Sequence, residues 1–177
     1  MRLAIEPISL HWLYDAEPTD LCAHGGLRVA LDRETIFETT SDGEWTLSTG
    51  ALHLLRTVEQ DYDAVQSPSR QLIPCCGNYM VFDEALGEVV NMPCPSGIEW
   101  GIRHVAAVVI VRFPNGRTCN MPEDEWRRAV HDFSARVRAF YFAEPARVVD
   151  NLQDAEWHPR FVAEWDRLHE AASSPSG

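Results

Sequence analysis

Residues 106–126 read AAVVIVRFPNGRTCNMPEDEW, and the order of elements in this run sets the class of fold. Val108, Val109, Ile110 and Val111 are apolar in succession, the pattern of a central strand covered on both faces. Asn115-Gly116 is the dipeptide favoured by two-residue hairpin turns, where both central positions need positive φ. It returns residues 117–121 as a partner strand. Pro122 suits the first position of a helix, whose N–H would be orphaned in any case. Glu123, Asp124 and Glu125 complement the positive end of that helix's dipole. Trp126, Val130, Phe133, Val137 and Phe140 then recur at three- or four-residue spacing and form one apolar stripe.

The flanks extend this order. Residues 98–105 are strand-like, and 72–76, 79–82 and 88–92 are short apolar runs separated by Gly77-Asn78 and by the turn-forming residues 83–87. Residues 48–61 predict a short helix from Leu52, Leu55 and Val58, with Ser48 or Thr49 as its cap. Residues 62–70 are a polar connector around Pro68. Nearer the N-terminus, Ile8, Leu10, Trp12 and Tyr14 alternate as a half-buried strand requires. Leu27, Val29 and Leu31 alternate again, and with Asp32-Arg33 and Thr35-Ile36-Phe37 they predict a hairpin. Residues 39–45 form a loop. Beyond the helix of residue 126, Pro145 is its expected end. A last helix is expected to start near Pro159 and to bury Phe161, Val162, Trp165 and Leu168. The expectation is an α+β fold: a mostly antiparallel sheet laid out as a meander, one short helix, and two C-terminal helices packed on one face. No repeat or internal boundary is visible, so residues 1–172 read as one domain and residues 173–177 as a disordered tail.

A chain of 177 residues with 45% hydrophobic content buries about 70% of its unfolded surface and needs no disulfide or metal staple. Net charge is −12, and residues 1–64 carry 12 acidic against 4 basic side chains. That field repels a phosphate backbone and attracts a basic protein, so nucleic acid is not an expected partner. All 15 basic residues are arginine. Without lysine there is no Schiff base, no P-loop lysine and no ordinary kinase constellation. The opening MRLAIEPISLHWLY lacks an apolar core of the kind a signal peptide has, and no run is long enough to span a bilayer. The five cysteines are therefore expected as reduced thiols in a cytoplasmic protein that does not engage membranes.

Chemistry has one sharp candidate. Cys22, His24, Cys75 or Cys76, and Cys94 supply the thiolates and imidazole that zinc takes in tetrahedral sites, provided their loops converge. The Cys-x₂₋₄-Cys knuckles usual for such sites are missing, and Cys75-Cys76 alternate across a strand, so buried thiols serving as small hydrophobes are the competing reading. Cys94, beside Pro95 and Gly97, is also a candidate nucleophile if His24 or His104 lies near it. Asp83-Glu84 and residues 123–125 read as a turn and a helix start. His11, His53 and His131 read as surface or satisfied core histidines. Gly25-Gly26 belongs to no phosphate-binding motif. Trp126 and Trp165 are core residues by spacing, whereas Trp45 and Trp157 lie in acidic or loop-like surroundings.

Leu21-Cys22-Ala23-His24-Gly25, the segment Leu52-His53-Leu54-Leu55-Arg56, Leu72-Ile73-Pro74-Cys75-Cys76-Gly77, Cys94-Pro95-Ser96-Gly97-Ile98-Glu99-Trp100 and Glu164-Trp165 span most of the chain. In these pieces it resembles a group of small acidic bacterial proteins. The resemblance implies a single domain and brings no activity or site with it.

Two functions follow as expectations. The first is an acidic, non-enzymatic protein-binding domain, in its most concrete form an immunity or antitoxin-like protein that masks a basic toxin domain. Glu17, Asp20, Asp42, Glu44 and Trp45 are its expected contact surface, with no cofactor. The alternative is a zinc protein or thiol enzyme built on Cys22, His24, Cys75, Cys76 and Cys94.

Overall fold

The computed structural model describes residues 2–13, 18–40, 45–63, 71–75, 80–92, 96–143 and 146–173. Its strands are β1 (Leu3–Pro7), β2 (His24–Gly25), β3 (Leu27–Leu31), β4 (Glu34–Glu38), β5 (Trp45–Thr46), β6 (Ile73–Pro74), β7 (Met80–Asp83), β8 (Glu88–Asn91), β9 (Gly97–Ile98), β10 (Gly101–Val105), β11 (Val108–Arg112) and β12 (Thr118–Pro122). The helices are α1 (Leu47–Arg56), α2 (Glu123–Tyr141) and α3 (Leu152–Ser173). The fold is α+β, with antiparallel pairing in every ladder described. Alongside two three-stranded sheets, β1-β3-β4 and β10-β11-β12, stand three separate two-stranded ladders, β2-β5, β6-β9 and β7-β8.

Residues 106–126 fold in the expected order of strand, turn, strand and helix, but the strand and the turn each differ in detail. β11 is the centre of its sheet as expected, but it is covered on one face only: Val109 and Val111 are fully buried, whereas Ile110 is half-buried and Val108 is exposed. The connection spans residues 113–117 rather than two residues, and within it only Gly116, at φ +81°, takes positive φ, while the Asn115 side chain accepts the Arg117 N–H at 3.0 Å. α2 begins one residue later than expected, with Pro122 as its cap. Trp126, Val130, Phe133 and Val137 point into the core, while Phe140 is half-buried and Tyr141 takes the last inward position. The expected hairpin at residues 27–37 also forms. Asp32 and Arg33 hold positive φ at its tip, and the register shifts between Val29 and Ala30.

Three elements differ from expectation. The N-terminal strand is β1, before the alternating Ile8, Leu10 and Trp12, which are all half-buried. Pro7 ends the ladder, and the chain then crosses Gly25 so closely that a Cβ there would lie 2.0 Å from the Ser9 carbonyl oxygen. Among the described residues of this segment, His11 makes one further bridge, to His24, and Tyr14 lies outside them. α1 ends at Arg56 rather than near residue 61, and Thr46 precedes it as cap while Ser48 and Thr49 lie inside it; residues 47–55 are all buried, because none of them is a carboxylate or an arginine and α2, α3 and β6 enclose them. α3 begins at Leu152, and Pro159 sits inside it. Asn151 caps that start, accepting the Asp154 N–H at 2.8 Å and donating to the Asp154 carboxylate at 2.6 Å. The first turn is polar and Leu152 is 92% exposed, so no apolar period marks it. α2 ends at Tyr141, and Pro145, its expected terminator, lies outside the described residues.

Candidate functional site

The residues singled out from sequence fall in two groups. Asp20, Cys22 and His24 sit on one segment that closes over the start of α1. Ala23 ties this segment down: its N–H donates to Ser48 Oγ at 3.1 Å, and its carbonyl accepts the Leu47 and Ser48 amides. Asp20, expected at a contact surface, is turned inward with 10% of its side chain exposed. It accepts the Leu13 and Cys22 amides at 2.8 and 3.0 Å and lies 3.7 Å from His24 Nε2. Burial pushes its carboxyl up, but His24 and the two amides outweigh it, and the group is held below its ordinary value. Cys22 Sγ accepts from Asn91 Nδ2 at 3.2 Å, and the same amide donates to Thr49 Oγ1 at 2.7 Å. Tyr141 extends the cluster. Its hydroxyl donates to the Leu21 carbonyl at 2.9 Å, so His158 Nε2, also at 2.9 Å, must be the donor to Tyr141. Burial keeps Tyr141 protonated and pulls the His158 imidazole below its usual value.

Cys75 is half-buried on the β6 side, its N–H donating to the Ser96 carbonyl at 3.1 Å. Cys76 and Cys94 lie outside the described residues, as do Glu17, Asp42 and Glu44. Among the described residues no group of three or more His, Cys, Asp or Glu is placed to hold a metal ion. His104, the other proposed partner for a thiol, is committed elsewhere: Nε2 donates to the Thr57 carbonyl at 3.0 Å and Nδ1 lies 3.5 Å from Glu123. Trp45 is half-buried and packs on the core. Trp157 is half-buried as well and stacks on Phe82 with ring centroids 5.3 Å apart.

Two surfaces that the sequence reading missed carry more. One is an acidic edge on β10. Tyr62 meets β10 in a single bridge to Ile102, with both backbone bonds at 2.8 Å. Around it stand Asp61 and Asp63, both exposed, and Glu99, whose Oε1 receives the Tyr62 hydroxyl at 3.4 Å. Burial lifts the Glu99 carboxyl above its ordinary value, and the Tyr62 bond only partly offsets this. Asp61 accepts the His104 amide at 2.7 Å and lies 3.9 Å from Arg103. Val105 and Val108, 51% and 38% exposed, end the same hairpin.

The other surface is a groove of about 640 Å³ between the end of α1, the β7–β8 turn and the facing sides of α2 and α3. Arg56, 11% exposed, forms its floor. Arg56 donates twice to Glu164, at 2.9 and 2.8 Å, once to the Val89 carbonyl at 3.0 Å, and lies 3.2 Å from Glu88. Arg127 from α2 and Arg160 and Arg167 from α3 complete its cationic lining. The spacing of Arg160, Glu164, Arg167 and Ala171 marks one helical face. A reading that started α3 at Pro159 and followed only its apolar side passed over that face.

No known protein family, curated protein or solved structure matches the chain. Among the described residues no helix is long and apolar enough to cross a membrane.

Proposed function

We propose that the chain is a non-enzymatic binding domain that receives a basic protein partner, an immunity or antitoxin-like masking role being its most concrete form. The observation that carries this reading is the β10 edge, where Asp61, Asp63 and Glu99 surround the half-buried Tyr62. Burial that raises the Glu99 carboxyl also thins the water around it, so a cation placed there is screened less than beside a fully solvated glutamate. The net charge of −12 adds long-range attraction and speeds encounter. Val105 and Val108 supply apolar area beside the carboxylates. The mechanism is occlusion: carboxylates pair with arginines or lysines of the partner while Tyr62 and the valines exclude water.

The test is capture from a lysate of the source organism by the immobilised chain, in parallel with the Asp61→Asn/Asp63→Asn/Glu99→Gln variant. A basic protein retained at low salt and lost at least about tenfold by the variant supports the reading. A captured partner that is acidic, or one the variant retains equally, overturns it.

A further inference from the structure

We propose that the groove between α1, α2 and α3 is a second binding site, for a small polyanion carrying two or more carboxylate or phosphate groups. The chain has 27 acidic residues for 15 arginines, so carboxylates are in excess. Yet Arg127, Arg160 and Arg167 have no carboxylate at ion-pair distance among the described residues, and all three line one concavity. Glu164, which lies between Arg160 and Arg167 on α3, is held by Arg56 instead, and Glu88 leans on the same guanidinium. The cations on the walls are left for a ligand.

Arg127 strengthens the case. Its Nε is buried and has no hydrogen-bond acceptor. An atom that water cannot touch is also out of a ligand's reach, so what Arg127 offers the groove is its Nη edge, with the buried Nε anchoring the guanidinium in the wall. Arg160 is pre-oriented, its guanidinium lying 4.8 Å from the Trp157 ring centroid and 5.7 Å from that of Phe82. Stacking fixes the plane and leaves the N–H edges to donate.

Geometry selects the ligand class. Arg160 and Arg167 are two turns apart on one face, a rise of about 10 Å, with Arg127 on the facing helix. One phosphate or carboxylate cannot serve all three, whereas an elongated polyanion can. A volume of about 640 Å³ lies in the range of small-molecule clefts. The net charge of −12 opposes approach at long range, so retention rests on short charge-assisted bonds. Glu59 on the rim limits how far a ligand can extend toward the end of α1.

The experiment is isothermal titration of the full chain with sodium triphosphate and, separately, with citrate at low ionic strength. Arg127→Gln/Arg167→Gln is compared with wild type and with Arg33→Gln/Arg112→Gln, which removes two exposed cations elsewhere. The expected result is one site per chain for at least one probe, weakened at least about tenfold by the groove variant and changed less than about twofold by the control. Preference for triphosphate or citrate assigns phosphate or carboxylate as the natural group. No binding of either probe at millimolar concentration overturns the proposal, as does equal weakening by the control or undiminished binding by the groove variant. If the double variant does not fold, Arg160→Gln alone carries the same comparison.

Discussion

Replacing Arg56 with methionine tests the claim that one guanidinium locks three elements together. It joins α1 to α3 through Glu164 and to β8 through Glu88 and the Val89 carbonyl. Exposure decides the size of the effect. A fully exposed pair contributes about 0–1 kcal/mol, while removing one member of a buried pair costs about 3–5 kcal/mol. Arg56 is 11% exposed and both glutamates 20%, which places the network near the buried limit. Methionine preserves the apolar stem but leaves two carboxylates and one carbonyl without their donor. We expect a loss of about 3 kcal/mol, or a fall in Tm of about 6–12 °C for a domain of this size. Urea denaturation with intrinsic tryptophan fluorescence measures it, and an unchanged m-value shows that the unfolded state is not the cause. Adding Glu164→Gln to the methionine variant should restore about 1–2 kcal/mol, because one of the stranded charges is gone. A single-variant loss below about 1 kcal/mol, or strict additivity of the two substitutions, refutes the reasoning, since either means that water already screens the pair.

His131 and His169 stack at 4.4 Å between α2 and α3, and burial, aided by His131 and Arg138, lowers His169 to about 4 despite the Asp166 carboxylate. Between pH 6.5 and about 4 the folded state therefore binds fewer protons than the unfolded, so stability falls as pH drops through that window. The ring is partly solvent-exposed, which reduces the effect to about 1 kcal/mol. Thermal melts across this range should show it, and His169→Gln should flatten that slope. Gly25→Ala should cost about 3 kcal/mol or prevent folding, since the added Cβ meets the Ser9 carbonyl oxygen at 2.0 Å, and backbone rather than a flexible side chain must yield; a melt within about 2 °C of wild type would contradict it. Asn151→Ala should cost about 1 kcal/mol in denaturant titration by uncapping α3.

What was legible in the sequence was whatever one element decides alone. The Asn115-Gly116 turn, the strand before it and the stripe from Trp126 to Val137 each carry their own period, and each formed. The beginning of α3 carries none. Asn151 and Asp154 cap it through two side-chain bonds, and Asp154 also accepts the Met80 amide at 3.1 Å, a tie to β7 that no local pattern announces. β1 was displaced for a similar reason. The alternation of Ile8, Leu10 and Trp12 is real, but the ladder ends at Pro7, and the backbone beyond it passes over Gly25, a constraint set by residues far along the chain. Asp20 shows the limit for sites. A carboxylate in an acidic segment reads as surface, yet the Leu13 and Cys22 amides recruited it as an acceptor and turned it inward.

The acidic edge and the arginine groove have opposite signs and meet in one segment. Val58, Glu59 and Gln60 line the groove, and Asp61, Tyr62 and Asp63 follow directly on the edge. Opposite charges this close would collapse onto each other if the segment moved freely. It is tied at both ends instead. The Thr57 carbonyl accepts Trp126 Nε1 at 3.1 Å and His104 Nε2 at 3.0 Å, while Asp61 and Tyr62 are bonded to β10. The carbonyl of Thr57, the C-cap of α1, is thus satisfied by an indole and an imidazole. Fixing residues 57–63 in this way holds Val58, Glu59 and Gln60 against the groove and Asp61, Tyr62 and Asp63 against β10, so one short segment separates the two surfaces.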